Sequence, residues 1–175
     1  DALGESVKDR IRPLALDVRS SAAWSTVWKS SERYFGPIDI LINNAGVLEP
    51  AYTVDLLPDS IDRQIDVNTK GTLYGMSVAA RSMKERRHGH IVNVASLAGI
   101  SPVPGMSVYS ASKFAVRSAS LAAARELREY GVSASVVCPD GIHTPMVDGA
   151  KHLDEAALIF SGAALLRADD VARLI

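Results

Sequence analysis

The sequence predicts an α/β fold: a doubly wound parallel sheet with helices on both faces. Three observations carry this. Short apolar segments alternate with longer helix-patterned ones, in the order strand, helix, strand, helix, strand, helix, strand. The short segments are mostly apolar runs without clean alternation, the pattern of strands covered on both faces. The chemically informative residues fall at or just after strand ends, where such sheets bind ligands: Asp17, Asn43 to Gly46, Ser96, and the loop from Pro139 to Thr144.

In order, residues 1–10 are polar and read as the tail of a helix. Residues 12–18 (R-P-L-A-L-D-V) read as a strand. Residues 20–35 carry a helix pattern through Ala23, Val27, Trp28 and Phe35, with Ser20 or Ser21 as N-cap, and Gly36-Pro37 ends it. Residues 38–43 (I-D-I-L-I-N) form a buried-strand run closed by the turn residues Asn44-Ala45-Gly46. After a loop over 50–58, residues 60–87 read as one long helix. Its C-terminal Lys84, Arg86 and Arg87 complement the helix dipole. Residues 90–95 (H-I-V-N-V-A) are a strand and 96–105 a Pro- and Gly-containing loop. Residues 108–130 are a long helix ending at Gly131, as a C-cap glycine would end it. Residues 132–138 (V-S-A-S-V-V-C) are a strand and 139–149 a loop. Residues 153–160 read as a short helix, and 169–175 begin another.

The chain has 175 residues, enough for one core, and we read residues 1–175 as a single domain. Its 47% hydrophobic and 22% charged residues are a globular balance. A formal net charge of −1 provides no field to recruit nucleic acid or an anionic membrane. No apolar run approaches a membrane span, and the start lacks a signal pattern. Cys138 is the one cysteine, so no intrachain disulfide forms, and a reducing, cytoplasmic setting is expected. The histidines at 88, 90, 143 and 152 lack metal-ligand spacing, and no metal is expected.

The stretch Tyr109-Ser110-Ala111-Ser112-Lys113 organises the chemistry. Residues four apart on a helix share a face, so Tyr109 and Lys113 lie one turn apart. The pattern reads either as a helix with an exposed Tyr and an exposed Lys, or as a pair in which the nearby ammonium favours the phenolate and lowers the Tyr pKa, making it a general acid or base near neutral pH. Asn43-Asn44-Ala45-Gly46 reads either as a plain turn or as backbone that passes close to a flat ligand. Ser96 reads as a loop hydroxyl or helix cap, or as a donor to a substrate oxygen. Asn68, a poor helix former in mid-helix, reads as a surface residue, or as a polar group that bends the helix and holds a water near the lysine. Asp17 reads as a solvated strand end or as an acceptor for a ligand amine. No G-x-G-x-x-G or Walker sequence is present.

Together these motifs resemble the short-chain dehydrogenase/reductase family, whose fold is Rossmann-like. The matching stretches are Leu16-Asp17-Val18, Asn43-Asn44-Ala45-Gly46, Asp66-Val67-Asn68-Thr69-Lys70-Gly71, Asn93-Val94-Ala95-Ser96, Tyr109 to Lys113, and Pro139 to Thr144. The resemblance implies an NAD- or NADP-dependent oxidoreductase that interconverts a secondary alcohol and a ketone. Tyr109 would be the general acid/base. Lys113 would lower its pKa and bind the nicotinamide ribose. Ser96 would orient the substrate oxygen, and Asn68 would hold a relay water. Asp17 and Val18 would contact the adenine, and Asn43, Ala45 and Gly46 would flank the adenosine side. Pro139 belongs to the same cofactor-binding loop, whose Ile142 and Thr144 would contact the carboxamide.

Relatives with the same Tyr and Lys act as nucleotide-sugar epimerases or dehydratases. That alternative, and a non-catalytic dinucleotide-binding fragment, stand beside the main reading. By the resemblance, the helices over 60–87 and 108–130 would pair with their copies in a homodimer or homotetramer. The apolar, Pro-rich loop over 97–106 points to a small-molecule substrate of hydrophobic character. Family members begin with a strand, a T-G-x-x-x-G-x-G loop and a helix that this sequence does not contain, and they continue beyond Ile175. The chain therefore reads as an incomplete domain, truncated at both ends. The residue that selects NAD or NADP lies at the end of a strand outside it. Asp140 also departs from the pattern, which has Gly after the Pro.

Overall fold

The structure, a computed structural model, describes residues 10–162 and 164–175. The expected helix tail over 1–9 lies outside the described residues. Among the described residues three parallel strands form the sheet in the order β1-β2-β3: β1 (Ile40–Asn43), β2 (Gly89–Val94) and β3 (Val132–Val137). Ile40 lies opposite His90 and Asn43 opposite Asn93, while Gly89 lies opposite Val132 and Val94 opposite Val137. The connections are helical, as parallel pairing requires.

The first helix, α1 (Ser21–Phe35), starts where Ser20 caps it: the Ser20 hydroxyl accepts from the Ala23 N–H at 3.1 Å. Gly36 then turns the chain out at φ 82°. The long helix predicted over 60–87 is continuous but not uniform. It comprises α2 (Pro58–Gln64), a π-helical segment (Ile65–Lys70) and α3 (Gly71–Arg86). Arg87 caps α3 in the left-handed conformation, at φ 53°. The helix α4 (Ser107–Glu126) is followed by a 3₁₀ turn (Arg128–Tyr130), and Gly131 is left-handed at φ 68°, the expected stop. Short helices α5 (Pro145–Asp148) and α6 (Ala168–Ala172) and 3₁₀ segments at Thr53–Asp55, Leu97–Gly99 and Asp154–Phe160 complete the described elements.

One core lies between the sheet and α1, α3 and α4. Trp28, Met76, Ala79, Met83, Ile91, Leu127 and Val132 form its buried cluster, with Leu41, Ala119, Ala123 and Ala134 packed against it. Burying each of the large side chains stabilises the fold by about 1.5–3 kcal/mol. Leu41, Ile91 and Ala134 are register partners and face this core together.

Two expectations are corrected. Residues 12–18 do not form a strand, because among the described residues no strand runs beside them to exchange hydrogen bonds. Instead they lead into the α1 cap: the Asp17 carbonyl accepts from Ser20 N–H at 3.0 Å, and the Val18 carbonyl from Trp24 Nε1 at 3.1 Å. Residues 38–43 are not buried throughout. The strand is shorter, and Ile40 and Ile42, on the face away from the core, are 60% and 48% exposed. Among the described residues no helix is long and apolar enough to cross a membrane.

Candidate functional site

The C-terminal ends of β1, β2 and β3 open onto one cavity of about 600 Å³. Each strand end delivers its residues by short backbone ties. Beyond β2, the Ser96 hydroxyl accepts from Ala98 N–H at 3.1 Å and starts the 3₁₀ turn Leu97–Gly99. Leu97 N–H bonds the Pro139 carbonyl at 2.7 Å, tying that turn to the end of β3. Gly99 lies against α4 so closely that a Cβ there would stand 2.7 Å from the Lys113 carbonyl oxygen. The turn bearing Ser96 and the first turns of α4 are thereby locked together, and Tyr109 and Lys113 face the cavity beside Ser96.

Lys113 is 5% exposed and donates to the Val94 carbonyl at 3.0 Å. Burial pulls its pKa down to about 8, with Cys138 nearby opposing the shift. Tyr109 behaves differently from the expectation. Burial pushes its phenol above the ordinary value of 10.0, and the Ser96 hydroxyl draws it only partly back. The Lys113 ammonium, 5.7 Å from the ring centroid and directed to Val94, does not offset that desolvation. A phenol shifted in this direction keeps its proton at neutral pH.

Asn68 sits in the π-helical segment and is fully buried. Its Nδ2 donates to the Val47 carbonyl at 2.9 Å and to Ser112 Oγ at 3.0 Å, and its Oδ1 accepts from Val47 N–H at 2.8 Å. The helix is indeed distorted there, since Gly71 N–H reaches back five residues to the Asp66 carbonyl. Gln64, one turn earlier, acts alike on Glu49: its Oε1 accepts from the Glu49 N–H at 3.3 Å and its Nε2 donates to the Glu49 carbonyl at 3.2 Å. The two amides pin the chain that follows Gly46. A Cβ on Gly46 would stand 3.3 Å from Asn68 Oδ1 and 3.5 Å from Lys113 Nζ, so glycine keeps this wall of the cavity low.

The cavity thus brings together Gly46, Ser96, Tyr109, Lys113, Pro139, Ile142 and Thr144 of the expected residues, and adds Asn44. Asn68 stands behind it, touching Gly46. Asn43 is not at the surface of the cavity. It is buried and donates to Asn93 Oδ1 at 2.8 Å, and Asn93 in turn donates to Ser120 Oγ at 2.8 Å. Ala45 does not line the cavity either. Asp17 and Val18 lie outside it: Asp17 holds Arg19 at 2.8 Å, which lowers its pKa to about 2, and Val18 packs on Gly71. Sequence reasoning gave no role to Gln64, Asn93, Ser112 or Ser120. Ser112, between Tyr109 and Lys113, and Asn93, in the stretch Asn93-Val94-Ala95-Ser96, lie in matching motifs, while Gln64 and Ser120 carried no signal.

Among the described residues no group of three or more His, Cys, Asp or Glu could hold a metal. The polar groups fit a nucleoside cofactor better. Among the described residues Lys113 Nζ donates only to Val94, which leaves ammonium protons for a pair of ribose hydroxyls beside the low wall at Gly46.

A family model described as short chain dehydrogenase matches residues 1–154. The oxidoreductase BOA17 of Botryotinia fuckeliana is 35% identical over 137 residues, covering 78% of this chain and 50% of that protein. An uncharacterized oxidoreductase of Staphylococcus aureus, SA2266, is 33% identical over 151 residues, covering 86% of this chain and 65% of its own length. The chain spans between half and two thirds of these relatives. The solved structure of ElxO with NADP bound superposes with a TM-score of 0.84 at 27% identity, covering 94% of this chain and 69% of that one.

Proposed function

The chain belongs to the short-chain dehydrogenase family, and from that premise we propose that it carries the catalytic part of an NAD(P)-dependent oxidoreductase interconverting a secondary alcohol and a ketone. The observation that carries this reading is the convergence of Ser96, Tyr109 and Lys113 on one largely apolar cavity, with Asn68 packed behind them. The NADP bound by the structural neighbour ElxO supports a dinucleotide cofactor.

In the reduction direction the Ser96 hydroxyl orients the carbonyl oxygen, and the Tyr109 hydroxyl, a phenol at neutral pH, gives that oxygen its proton. The reverse step, oxidation, needs Tyr109 as the phenolate, which is the minor form at neutral pH. Lys113 holds the nicotinamide ribose by its free donors and anchors itself on Val94. Asn68 and Ser112 fix the first turn of α4, and with it the direction of Tyr109. The cofactor, when bound, supplies the hydride. Among the remaining assignments, the backbone at Asn43, Ala45 and Gly46 would flank the adenosine side, and Asp17 and Val18 would contact the adenine. Pro139, Ile142 and Thr144 would hold the carboxamide.

The alcohol or ketone carries apolar groups next to the reacting carbon, because Leu97, Val103, Met106, Val147 and Leu158 line the cavity. Assembly into a homodimer or homotetramer through α3 and α4 is part of the proposal. Leu73, Phe114 and Leu121 on those helices are 39%, 37% and 46% exposed, and burying them in an interface is favourable. A cytoplasmic setting accords with a lone free Cys138.

The test mixes the full natural chain with NADH or NADPH and a panel of apolar ketones and follows nicotinamide absorbance. Net oxidation of the cofactor supports the reading. Product formation without net cofactor change indicates epimerase-type chemistry instead. Absence of both, with cofactor still bound, leaves a dinucleotide-binding protein.

A further inference from the structure

Among the described residues Asp140 is the one acidic residue lining the cavity, and Lys113 the one basic residue. Lys113 faces Val94 and is almost wholly buried, whereas Asp140 is exposed to the cavity space. The backbone fixes its place. Pro139, next to it, accepts Leu97 N–H at 2.7 Å, which sets Asp140 against the turn that begins at Ser96. Its Oδ1 accepts from Gly141 N–H at 2.8 Å, which orients the carboxylate. Among the described residues its Oδ2 accepts no hydrogen bond, and no Lys, Arg or His forms an ion pair with it.

The segment at Leu165 and Leu166 packs against Gly141. Leu166 N–H bonds the Gly141 carbonyl at 2.8 Å and His143 N–H bonds the Leu166 carbonyl at 2.9 Å. A Cβ on Gly141 would stand 2.8 Å from Leu165 Cδ2 and 3.2 Å from Ile159 Cγ2. Asp140 also lines a second, smaller cavity of about 220 Å³ under this segment, with Ile159, Phe160 and Leu165. A carboxylate with a free oxygen is therefore set where two cavities with apolar lining meet. An unpaired charge there discriminates between ligands of opposite sign.

We propose that Asp140 is a specificity-determining residue: it selects substrates that carry a cationic amine beyond an apolar spacer from the reacting carbon, and it rejects carboxylates of the same shape. This deepens the oxidoreductase reading and rests on it for the reaction, but not for binding. The amine donates to Asp140 Oδ2 while the apolar spacer lies against Leu97 and Ile159.

The test has two arms. Calorimetry on the full natural chain with 4-phenylbutylamine and 4-phenylbutyrate measures binding without turnover. The amine is expected to bind at least about tenfold tighter. Asp140→Asn should bring the ratio close to one, and Asp140→Glu should restore it. The second arm compares kcat/KM for an amino ketone and a keto acid of matched length, where the same loss of ratio is expected. Equal binding of the two probes to the natural chain, or a ratio unchanged in Asp140→Asn, overturns the proposal and leaves Asp140 as a local cap on Gly141. Absence of any cofactor-linked turnover overturns the oxidoreductase reading, while the calorimetry still decides the role of Asp140.

Discussion

Asn68 Nδ2 and Ser112 Oγ stand 3.0 Å apart, both side chains wholly buried, and Ser112 Oγ donates onward to the Tyr109 carbonyl at 2.7 Å. This chain of contacts joins the π-helical segment to the first turn of α4. It is the structural reason that a distortion around Asn68 bears on where Tyr109 points.

Replacing Ser112 with alanine leaves Asn68 with one unpaired amide proton in a buried site. The expected cost is about 1–3 kcal/mol of folding stability. Urea unfolding of the two proteins measures it. A change within about 0.3 kcal/mol would show that the bond is dispensable.

Lys113 makes stability depend on pH. Its folded pKa is about 8, against 10.5 for the free side chain, so between those values the unfolded chain binds more protons. Stability should therefore rise as pH increases from 8 toward 10.5, by up to about 3 kcal/mol, and burial of the charged form is a cost below pH 8. Tyr109 acts in the opposite sense above its unfolded value of 10.0, because its folded pKa is raised. Lys113→Met should flatten the rise. Unfolding free energies at a series of pH values check this, and a slope that persists in the variant would assign it to another group.

Gly75 shows how close α3 comes to the sheet. A Cβ there would stand within 3 Å of Asn43 Oδ1 and of two ring carbons of Trp24. Gly75→Ala should cost about 1–3 kcal/mol through overpacking, even though alanine is the better helix former. Thermal unfolding measures the loss. An unchanged midpoint would mean that Trp24 moves aside freely.

The N-cap of α1 is a smaller, separable element. Ser20→Ala removes the acceptor for Ala23 N–H and should cost about 1 kcal/mol, with Ser20→Gly costing less. A larger loss for glycine than for alanine would contradict the capping role.

Much of this was legible before the structure. Local rules suffice for the Ser20 cap, the Gly131 stop and the three apolar strand runs. The strand-end positions of Ser96 and of Pro139 to Thr144, and the helical spacing of Tyr109 and Lys113, followed from periodicity. What was not legible depends on neighbours distant in sequence. Residues 12–18 have strand composition, but a strand exists only where another backbone pairs with it. Gln64, Asn93, Ser112 and Ser120 look like surface residues in one dimension, and only packing shows that each is buried with partners 15, 50, 44 and 27 residues away. For the same reason spacing displays the cation near Tyr109 but not the burial that pushes its pKa the other way.

The central claim is that Tyr109 transfers the proton to the substrate oxygen. The most direct measurement is the turnover and cofactor affinity of Tyr109→Phe in the full natural chain, with a ketone that the unaltered enzyme reduces. Turnover should fall by about 10²–10⁴-fold, while cofactor affinity stays within about twofold, because phenylalanine keeps the ring and removes only the proton donor. Turnover close to that of the natural enzyme would contradict the account and place the proton donor elsewhere in the cavity.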